Sequence, residues 1–399
     1  MVKPRLLIII NRFVIGGQAA DTIPLLYRLK DKFQIKIIYG EKEADEIEPL
    51  FLLQQYQGLD IEKIPTLRRS INPFIDLITL FRLYKYISNY KPQIVHTHGA
   101  KSGFLGRLAA WVWGKTVIVH TFHGHLFHSY FNSITTKVFI FLERSLAGIT
   151  HAAIALSPSQ KSELVDQFKI FPAEKVFEIP LGMAAPDLNE RDVSGIKTLY
   201  KLDEADVTIA IIGRIVPIKN HIDFLNIAIK VLKSGINNVK FLIIGDGNDR
   251  KMLESFLNEN GYSFSGPGNI KEHSKFIFTS WIADMYSVIK ELDIVVLTSS
   301  NEGTPVSLIE AQLCAKPVVA YNVGGVKDTF ENNQSGYLVE KGNVEDFAQK
   351  LLALINDESL RTKMGLRGKE FSAIKYSKET EVNAIENLYT NLLSRYPIH

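Results

Sequence analysis

The chain has 399 residues, of which 46% are hydrophobic and 22% charged, a composition typical of a globular protein. The formal net charge of +3 argues against a nucleic-acid partner bound through bulk charge, so any anion site must be local. At roughly 150 residues per domain, the length suggests two domains. The single cysteine, Cys314, excludes an internal disulfide and fits a reducing compartment.

The apolar run near the N-terminus, Leu6–Ile10, is shorter than the hydrophobic segment of a signal peptide, and no small-residue cleavage site follows it. No run reaches the roughly 18 apolar residues that a membrane-spanning helix needs. We therefore expect a soluble cytoplasmic protein, and contact with the inner face of the cytoplasmic membrane stays open.

Short apolar runs recur along the chain, and most are apolar on both faces, as buried parallel strands are. Helical stretches separate many of them, among them Pro73–Tyr90, Ile222–Lys233 and Val344–Ile355. This alternation predicts an α/β protein with parallel sheets. The predicted strands are Leu6–Ile10, Ile35–Tyr39, Ile94–His98, Thr116–His120, Ala152–Leu156, Val176–Ile179, Val207–Ile212, Lys240–Ile244, Phe276–Thr279, Ile294–Leu297 and Pro317–Ala320.

The strand series restarts at Val207, after a segment rich in Pro, Gly and polar residues, Glu178–Asp192. We therefore predict two Rossmann-like domains facing a cleft, residues 1–182 and 193–375, joined by a linker at 183–192. In open α/β sheets, ligands bind beyond the carboxyl ends of the strands. The chemistry should accordingly lie in the loops that follow these strands.

The segment Ser299–Gln312 places Glu302 and Glu310 eight positions apart around a predicted helix start. Thr304 is the predicted N-cap and Pro305 the first helical residue. Carboxylates there suit sugar or ribose hydroxyls, and a solvated helix face with ordinary caps is the alternative. The free backbone amides that would cradle a phosphate belong to Gly303, Thr304, Val306 and Ser307.

Two further loops carry residues suited to phosphate, and a third carries a glycine after a strand. Arg214 and Lys219 follow the first strand of the second domain and can bind a diphosphate, with a solvated loop as the alternative. Gly16 and Gly17 follow the first strand and let the backbone approach a phosphate closely, but the G-x-G-x-x-G dinucleotide fingerprint is missing. Gly245 also follows a strand, where a plain turn and a base or ribose contact are both open.

Histidines crowd the end of one predicted strand of the first domain: His120, His123, His125 and His128. Their spacing suggests zinc, but H-E-x-x-H is missing and no cysteine lies nearby. A histidine at this edge can instead donate a hydrogen bond to a sugar or phosphate oxygen. A packed or solvated histidine is the alternative for most of the four.

Together these segments resemble family 4 retaining glycosyltransferases of the GT-B fold over nearly the whole chain. The resemblance rests on GRIVPIK (G-R-x4-K) and NEGTPVSLIE (E-x7-E), with support from the Gly16–Gly17 loop, TFHGH, IIGDG and PVVAYNVGG. The segments HTHGAKSGFLGRLAA and HTFHGHLFHSYF are similar to bacterial enzymes that build capsule, exopolysaccharide or lipopolysaccharide chains.

The resemblance implies a donor-binding second domain and an acceptor-binding first domain, onto which residues 376–399 cross back. Arg214 and Lys219 would hold the donor diphosphate, and Glu310 the ribose hydroxyls. Glu302 and His123 would contact the transferred sugar. The implied catalytic residues are Arg214, Lys219, Glu302 and His123, and the other implied donor contacts are Gly16, Gly17, Gly213, Gly245, Ile282 through its backbone, Gly303, Thr304, Val306, Ser307 and Glu310.

The resemblance also implies a nucleotide-sugar donor, for which we expect a UDP-sugar, and a reaction that uses neither metal nor cofactor. The sugar would pass through an oxocarbenium-like state, and the leaving phosphate would help to deprotonate the acceptor. A nucleotide-sugar 2-epimerase of the same fold is the alternative, whereas the missing fingerprint disfavours a nicotinamide oxidoreductase. Two positions depart from the family pattern: Ser280 replaces a frequent glycine, and Met183 an expected polar residue.

The acceptor is expected to be a saccharide or a lipid-linked saccharide, and the predicted contacts are His98, Lys101 and Arg107. Plain surface charges are the alternative for the two cations. The aromatic, basic segment Leu67–Lys91 contains a helix that is either a peripheral membrane face or simply packed on its sheet. Its apolar residues at helical spacing are Phe74, Leu77, Ile78, Phe81 and Tyr84, and its cations are Arg68, Arg69, Arg82 and Lys85.

Overall fold

The computed structural model describes residues 3–14, 16–44, 46–124, 133–184, 195–271, 273–282 and 284–398. The chain divides into two compact units, Met1–Met183 with Tyr376–His399, and Ala184–Lys375. Each unit contains a seven-stranded sheet, and every ladder between its strands is parallel. The predicted class, two parallel-sheet α/β domains, is confirmed. Most of the predicted linker lies outside the described residues.

In the first unit the strand order is β3-β2-β1-β4-β5-β6-β7. The strands are β1 Arg5–Ile10, β2 Gln34–Gly40, β3 Asp60–Ile64, β4 Ile94–His98, β5 Val117–Phe122, β6 Ala152–Ala155 and β7 Val176–Glu178. The helices are α1 Gly17–Leu29, α2 Leu50–Gln55, α3 Pro73–Tyr90, α4 Ala100–Trp113, α5 Ser133–Ile149 and α6 Pro158–Ser162, with a π-helical turn at Glu163–Gln167 and a 3-10 turn at Ala173–Lys175. Leu6–Ile10 have no exposed surface, because helices cover both faces of the sheet.

In the second unit the strand order is β10-β11-β9-β8-β12-β13-β14. The strands are β8 Val207–Ile212, β9 Val239–Ile244, β10 Phe264–Ser265, β11 Phe276–Ser280, β12 Ile294–Leu297, β13 Val318–Tyr321 and β14 Gly336–Val339. The helices are α7 Ile196–Leu199, α8 His221–Lys233, α9 Arg250–Glu259, α10 Met285–Ile289, α11 Val306–Leu313, α12 Val344–Asn356 and α13 Glu358–Lys375, with 3-10 turns at Pro217–Lys219 and Val326–Asp328.

The last helix, α14 (Lys378–Arg395), belongs to the first unit, as the sequence predicts. The chain re-enters that unit where the Met183 N–H donates to the carbonyl oxygen of Tyr376 over 2.7 Å. Met183 is buried, which explains an apolar residue at this position. None of the helices in the described parts of the chain is long and apolar enough to span a bilayer.

Candidate functional site

Four neighbouring strands of the second sheet end beside the predicted donor residues. Because β11, β9, β8 and β12 are adjacent and parallel, the loops after them meet at one edge. Arg214 follows β8 and is exposed there, and Lys219 ends the 3-10 turn after it. The Ser300 N–H donates to the Ile218 carbonyl oxygen over 2.8 Å, which fixes this turn against the loop after β12.

Lys219 and Glu302 contact each other directly. The Lys219 ammonium lies 2.5 Å from Glu302 Oε1, and Ser299 Oγ donates to the same oxygen over 2.6 Å. Ser299 has no exposed surface, so its hydroxyl fixes the carboxylate from the buried side. The sequence prediction missed Ser299, although its place at the end of a buried strand was a usable signal. The arrangement sets a cation and an oriented carboxylate side by side.

The start of α11 lies directly after Glu302. Pro305 occupies the N-cap and Val306 is the first helical residue, so the predicted start is wrong by one position. No described side chain caps this start, which leaves amides of the first turn free to receive an anion. Gly303 and Thr304 precede this start, Val306 and Ser307 open the helix, and their contact with a phosphate stays a prediction.

Glu310 lies in the second turn of α11 and differs from Glu302 in its surroundings. Its side chain is partly buried, and among the described residues none donates a hydrogen bond to it. Desolvation raises its pKa from 4.5 to about 7. Such a carboxylate gains hydrogen bonds when hydroxyl groups approach it, which matches the ribose role implied by the resemblance.

Gly213 and Gly245 bring the ends of β8 and β9 into close approach. A Cβ on Gly245 would lie 2.0 Å from the Gly213 carbonyl oxygen, and the φ of Gly245 is +134°. A side chain cannot be accommodated at this position without backbone movement. Ile282, after β11, packs its side chain against the core beneath the same edge. Its role in reading a base through the backbone stays a prediction.

Three polar side chains that the sequence analysis did not connect form a cluster beside Gly245. Ser280 Oγ donates to Asp246 Oδ2 over 2.8 Å, and Arg250 Nη1 donates to Asp246 Oδ2 and to Ser280 Oγ over 3.0 and 2.6 Å. Ser280 has φ +59°, the left-handed conformation that explains why glycine is frequent there. The serine hydroxyl instead joins the loops after β9 and β11.

In the first unit, β1, β4 and β5 are neighbours, and the loops after them carry the remaining predicted residues. Gly16 is the N-cap of α1, with φ +152°, and Gly17 is the first helical residue. No described side chain caps this helix, so Gly16 and Gly17 present backbone amides at the sheet edge, as an anion contact requires.

His98 and His123 form a pair at the same edge. His98 Nδ1 and His123 Nε2 are 2.8 Å apart, and the rings stack with centroids 5.0 Å apart. His98 is buried, whereas His123 is partly exposed. Burial lowers the pKa of His123 to about 4, so its ring is neutral near pH 7. His98 orients His123 through this contact, and the predicted acceptor contact of His98 stays a prediction.

The other histidines divide into packed residues and residues outside the described chain. His120 is buried and hydrogen-bonds Thr97 Oγ1 over 2.8 Å, so the alternative of a packed histidine holds for it. His125 and His128 lie outside the described residues. Within the parts of the chain that the structure describes, no three His, Cys, Asp or Glu side chains are placed to hold a metal ion.

Two predicted acceptor cations are engaged within the first unit. Arg107 has no exposed surface, and its Nη2 lies 2.8 Å from both carboxylate oxygens of Glu143. The prediction that Arg107 contacts an acceptor phosphate is wrong, and so is the alternative of a surface charge. Lys101 pairs with Asp76 over 2.5 Å and donates to the Ser70 carbonyl oxygen, so its charge is largely neutralised.

Two family models match the chain. The model described as "Glycosyltransferase Family 4" matches residues 16–184, which carry the Gly-Gly loop and the histidine pair. The model described as "Glycosyl transferases group 1" matches residues 196–371, which carry both cations and both glutamates. The chain belongs to the family 4 glycosyltransferases of the GT-B fold. The prediction that it is a glycosyltransferase is confirmed.

Individual relatives of this glycosyltransferase point the same way. It is 29% identical over 336 residues to an Escherichia coli UDP-Gal:alpha-D-GlcNAc-diphosphoundecaprenol alpha-1,3-galactosyltransferase, covering 83% of each chain. It is 27% identical to the capsular polysaccharide biosynthesis glycosyltransferase CapM of Staphylococcus aureus, covering 86% of this chain and 87% of CapM. The fold matches Anabaena Alr3699/HepE, solved with UDP-glucose, with a TM-score of 0.76 and 19% identity over 96% and 99% of the two chains.

Proposed function

We propose that this glycosyltransferase moves a sugar from a UDP-sugar to a lipid-linked saccharide during synthesis of a bacterial surface polysaccharide. The observation that carries the proposal is the 2.5 Å contact of Lys219 with Glu302 beside the uncapped start of α11. The name of the Escherichia coli relative, which includes UDP-Gal and a diphosphoundecaprenol-linked acceptor, supports the donor and acceptor classes. The name of CapM supports the capsule setting.

The donor would bind along the carboxyl edge of the second sheet. Its diphosphate would face Lys219, Arg214 and the first turn of α11, where two side-chain cations and the helix dipole all favour negative charge. Glu310, one and a half turns into α11, would accept hydrogen bonds from the ribose hydroxyls. Glu302, already oriented by Ser299, would accept hydrogen bonds from the transferred sugar.

In the proposed reaction, the bond between the anomeric carbon and the β-phosphate oxygen breaks, and the electron pair leaves with UDP. Lys219, Arg214 and the helix start stabilise the charge that develops on the leaving phosphate. The acceptor hydroxyl attacks the same face, and its proton passes to a phosphate oxygen of UDP. The anomeric configuration is thereby retained. Since these groups supply the positive charge, the proposal requires no metal ion and no cofactor.

The first unit would receive the acceptor near His123. The neutral His123 ring can donate a hydrogen bond to a sugar hydroxyl, while His98 fixes its orientation. An acceptor carried on a lipid would bring the enzyme to the inner face of the cytoplasmic membrane, where the sugar donors of the cytoplasm are available.

The test is a transfer assay that measures UDP release from a panel of UDP-sugars, with GDP-sugars for comparison and undecaprenyl-diphosphate-linked GlcNAc as acceptor. Lys219→Ala should lower kcat/KM by about 100-fold or more, because removal of one preorganised charge contact costs on the order of 3 kcal/mol in the transition state. Glu302→Gln should lower kcat by a similar factor.

The matched control is Lys233→Ala, which removes an exposed lysine at the end of α8 and should leave turnover unchanged. Activity in excess EDTA should equal activity without it, and the product should keep the anomeric configuration of the donor sugar. Full activity of Lys219→Ala would contradict the assigned site. Loss of activity in EDTA would contradict the metal-free mechanism, and a product with inverted anomeric configuration would contradict the retaining mechanism.

A further inference from the structure

Helix α3 carries its apolar residues on the side that faces away from the protein. Thr79, Leu83 and Ile87, which face the sheet, are fully buried. A surface helix normally shows polar residues to solvent and apolar residues to the core. Here the outward stripe consists of Phe74, Leu77, Ile78 and Phe81, which are 83%, 66%, 50% and 71% exposed, and Ile71 just before the helix is 77% exposed.

These residues form one continuous patch. Positions 74, 77, 78 and 81 recur at the spacing that places side chains on one face of a helix, opposite Leu83. Large contiguous apolar patches on a protein surface mark interaction sites. Tyr84, which the sequence analysis grouped with the stripe, is partly buried and packs against the core instead. We call Ile71, Phe74, Leu77, Ile78 and Phe81 the α3 patch.

The charges around the α3 patch are positive. The exposed cations Arg82 and Lys85 continue the stripe toward the C-terminal end of the helix, and Arg68 and Arg69 precede it. Between residues 65 and 91 the single acidic residue is Asp76, and the Lys101 ammonium pairs with it over 2.5 Å. An apolar stripe flanked by cations is complementary to an anionic lipid surface, where aromatic rings enter the acyl boundary and cations meet headgroups.

The α3 patch lies at the functional end of the first unit. Since α3 follows β3, its first turn is at the carboxyl edge of the sheet, the edge that carries Gly16 and His123. The pair Lys101–Asp76 joins the first turns of α4 and α3 at this edge. A lipid surface held against α3 would therefore place headgroups beside the residues proposed to receive the acceptor.

We propose that the α3 patch, with Arg68, Arg69, Arg82 and Lys85, docks the enzyme on an anionic lipid bilayer. The proposal rests on the lipid-linked acceptor of the proposed function for its biological purpose, but the surface itself is defined by exposure and charge. A protein partner fits less well, because all of the flanking charges have one sign, which matches the uniform negative charge of an anionic lipid surface.

The test is sedimentation of the full chain with vesicles of phosphatidylglycerol and phosphatidylethanolamine, compared with vesicles of phosphatidylcholine alone. We expect binding to the anionic vesicles that weakens as salt increases. Phe74→Ser with Phe81→Ser should lower the partition coefficient by about tenfold or more. Arg82→Gln with Lys85→Gln should lower it by about 30-fold on anionic vesicles and little on neutral ones.

The matched control is Ile374→Ser, which removes a residue that is 78% exposed on α13 of the second unit and should leave partition unchanged. Each variant should unfold at the wild-type temperature, because the changed side chains are exposed. Unchanged vesicle binding of the Phe74/Phe81 variant would overturn the proposal, and so would a dimer in solution that this variant abolishes.

A short-chain, water-soluble acceptor separates this proposal from the proposed function. The Phe74/Phe81 variant should transfer sugar to that acceptor at the wild-type rate and lose activity only on vesicle-bound acceptor. Vesicle binding without any transfer would contradict the proposed function alone, whereas transfer without patch-dependent binding would contradict the docking surface alone.

Discussion

At the scale of single residues, the two glutamates of the E-x7-E segment differ in what their carboxylates contact. The Glu302 carboxylate accepts hydrogen bonds from the Lys219 ammonium and the Ser299 hydroxyl. The Glu310 carboxylate has no donor among the described residues, and burial raises its pKa to about 7. Glu310 therefore changes protonation near neutral pH. Its ionised form accepts stronger hydrogen bonds than its protonated form, so a ribose contact should strengthen as pH rises.

Glu310→Gln should remove this pH dependence. For the wild type, affinity for a UDP-sugar should increase between about pH 6 and about pH 8, a range in which the diphosphate diester itself does not titrate. The variant should show a flat profile and bind about tenfold more weakly at the upper end. Isothermal titration calorimetry measures the affinity of both proteins across this pH range, and Glu259→Gln, which changes an exposed glutamate, is the control. If the affinity of the Glu310→Gln variant for a UDP-sugar still changed with pH, the assignment of Glu310 to the ribose would be contradicted.

The same pKa predicts that Glu310→Gln, which should weaken donor binding, should make the protein without donor more stable. Because the folded pKa of Glu310 lies above its ordinary 4.5, ionisation in the folded state is unfavourable, and its contribution to stability falls as pH rises through about 7. Without donor at about pH 8, Glu310→Gln should unfold at a higher temperature than the wild type. A lower unfolding temperature would show that the carboxylate has a stabilising partner.

Sequence reasoning recovered the residues whose motif and strand position agree, and missed those defined by distant contacts. Lys219 and Glu302 contact each other because the parallel strands β8 and β12 are neighbours and end side by side. The position of each motif directly after its strand indicates this from the sequence. The burial of Arg107 depends on Glu143, 36 positions away on another helix, and nothing local distinguishes it from a surface cation. The pairing of His98 with His123 is hidden for the same reason.

At the scale of elements, the start of α11 has no described side-chain cap and would serve the donor diphosphate. Thr304→Asp places a negative charge beside this start. The charge should stabilise the helix by about 0.3–1 kcal/mol, because it complements the dipole. It should also weaken UDP binding by about tenfold, because it occupies the same positive potential and repels the phosphates.

Thr304→Asn is the matched control, since asparagine has nearly the same shape as aspartate without its charge. For Thr304→Asp, the unfolding temperature without ligand should rise and the UDP affinity measured by calorimetry should fall. For Thr304→Asn, both quantities should change little. Equal UDP affinity of the two variants would place the diphosphate away from α11.

Most predicted strands were detectable because their burial is nearly complete; the exception is the edge strand β7, which was predicted although two of its three residues are exposed. Each predicted strand is present, with ends displaced by up to two residues, since apolar runs on both faces are typical of central parallel strands. The strands β3, β10 and β14 were missed. They lie at or near the sheet edges, where Asp60–Ile64 is only partly buried and Phe264–Ser265 has two residues. Edge strands have little apolar periodicity to detect.

At the scale of the whole molecule, the chain leaves the first unit after Met183, builds the second, and returns at Tyr376. A buried charge cluster fixes the return. Lys378 Nζ lies 2.9 Å from Asp21 Oδ1 on α1 and 2.7 Å from Glu381 Oε2 on α14, and all three residues are buried. The cluster joins α14 to α1, the helix whose start carries Gly16 and Gly17.

Lys378→Met should therefore destabilise the first unit by about 3–5 kcal/mol, because it leaves two buried carboxylates without their cation. Burial raises the pKa of Glu381 well above its usual range, and loss of the lysine raises it further. Since protonation relieves the unpaired charge, the penalty should shrink as pH falls. The exposed pair of Lys32 with Glu386 also involves α14, and Lys32→Met should cost less than about 1 kcal/mol.

Calorimetric unfolding of the full chain can separate these outcomes, because two units need not unfold in one transition. Lys378→Met should lower one transition and leave the other near its wild-type temperature, and Asp21→Asn with Glu381→Gln in the same chain should restore much of the loss, because no unpaired buried charge remains. Equal penalties for Lys378→Met and Lys32→Met would mean that the buried cluster does not fix the returning helix. A shift of both transitions would mean that the returning helix stabilises the whole chain rather than the first unit alone.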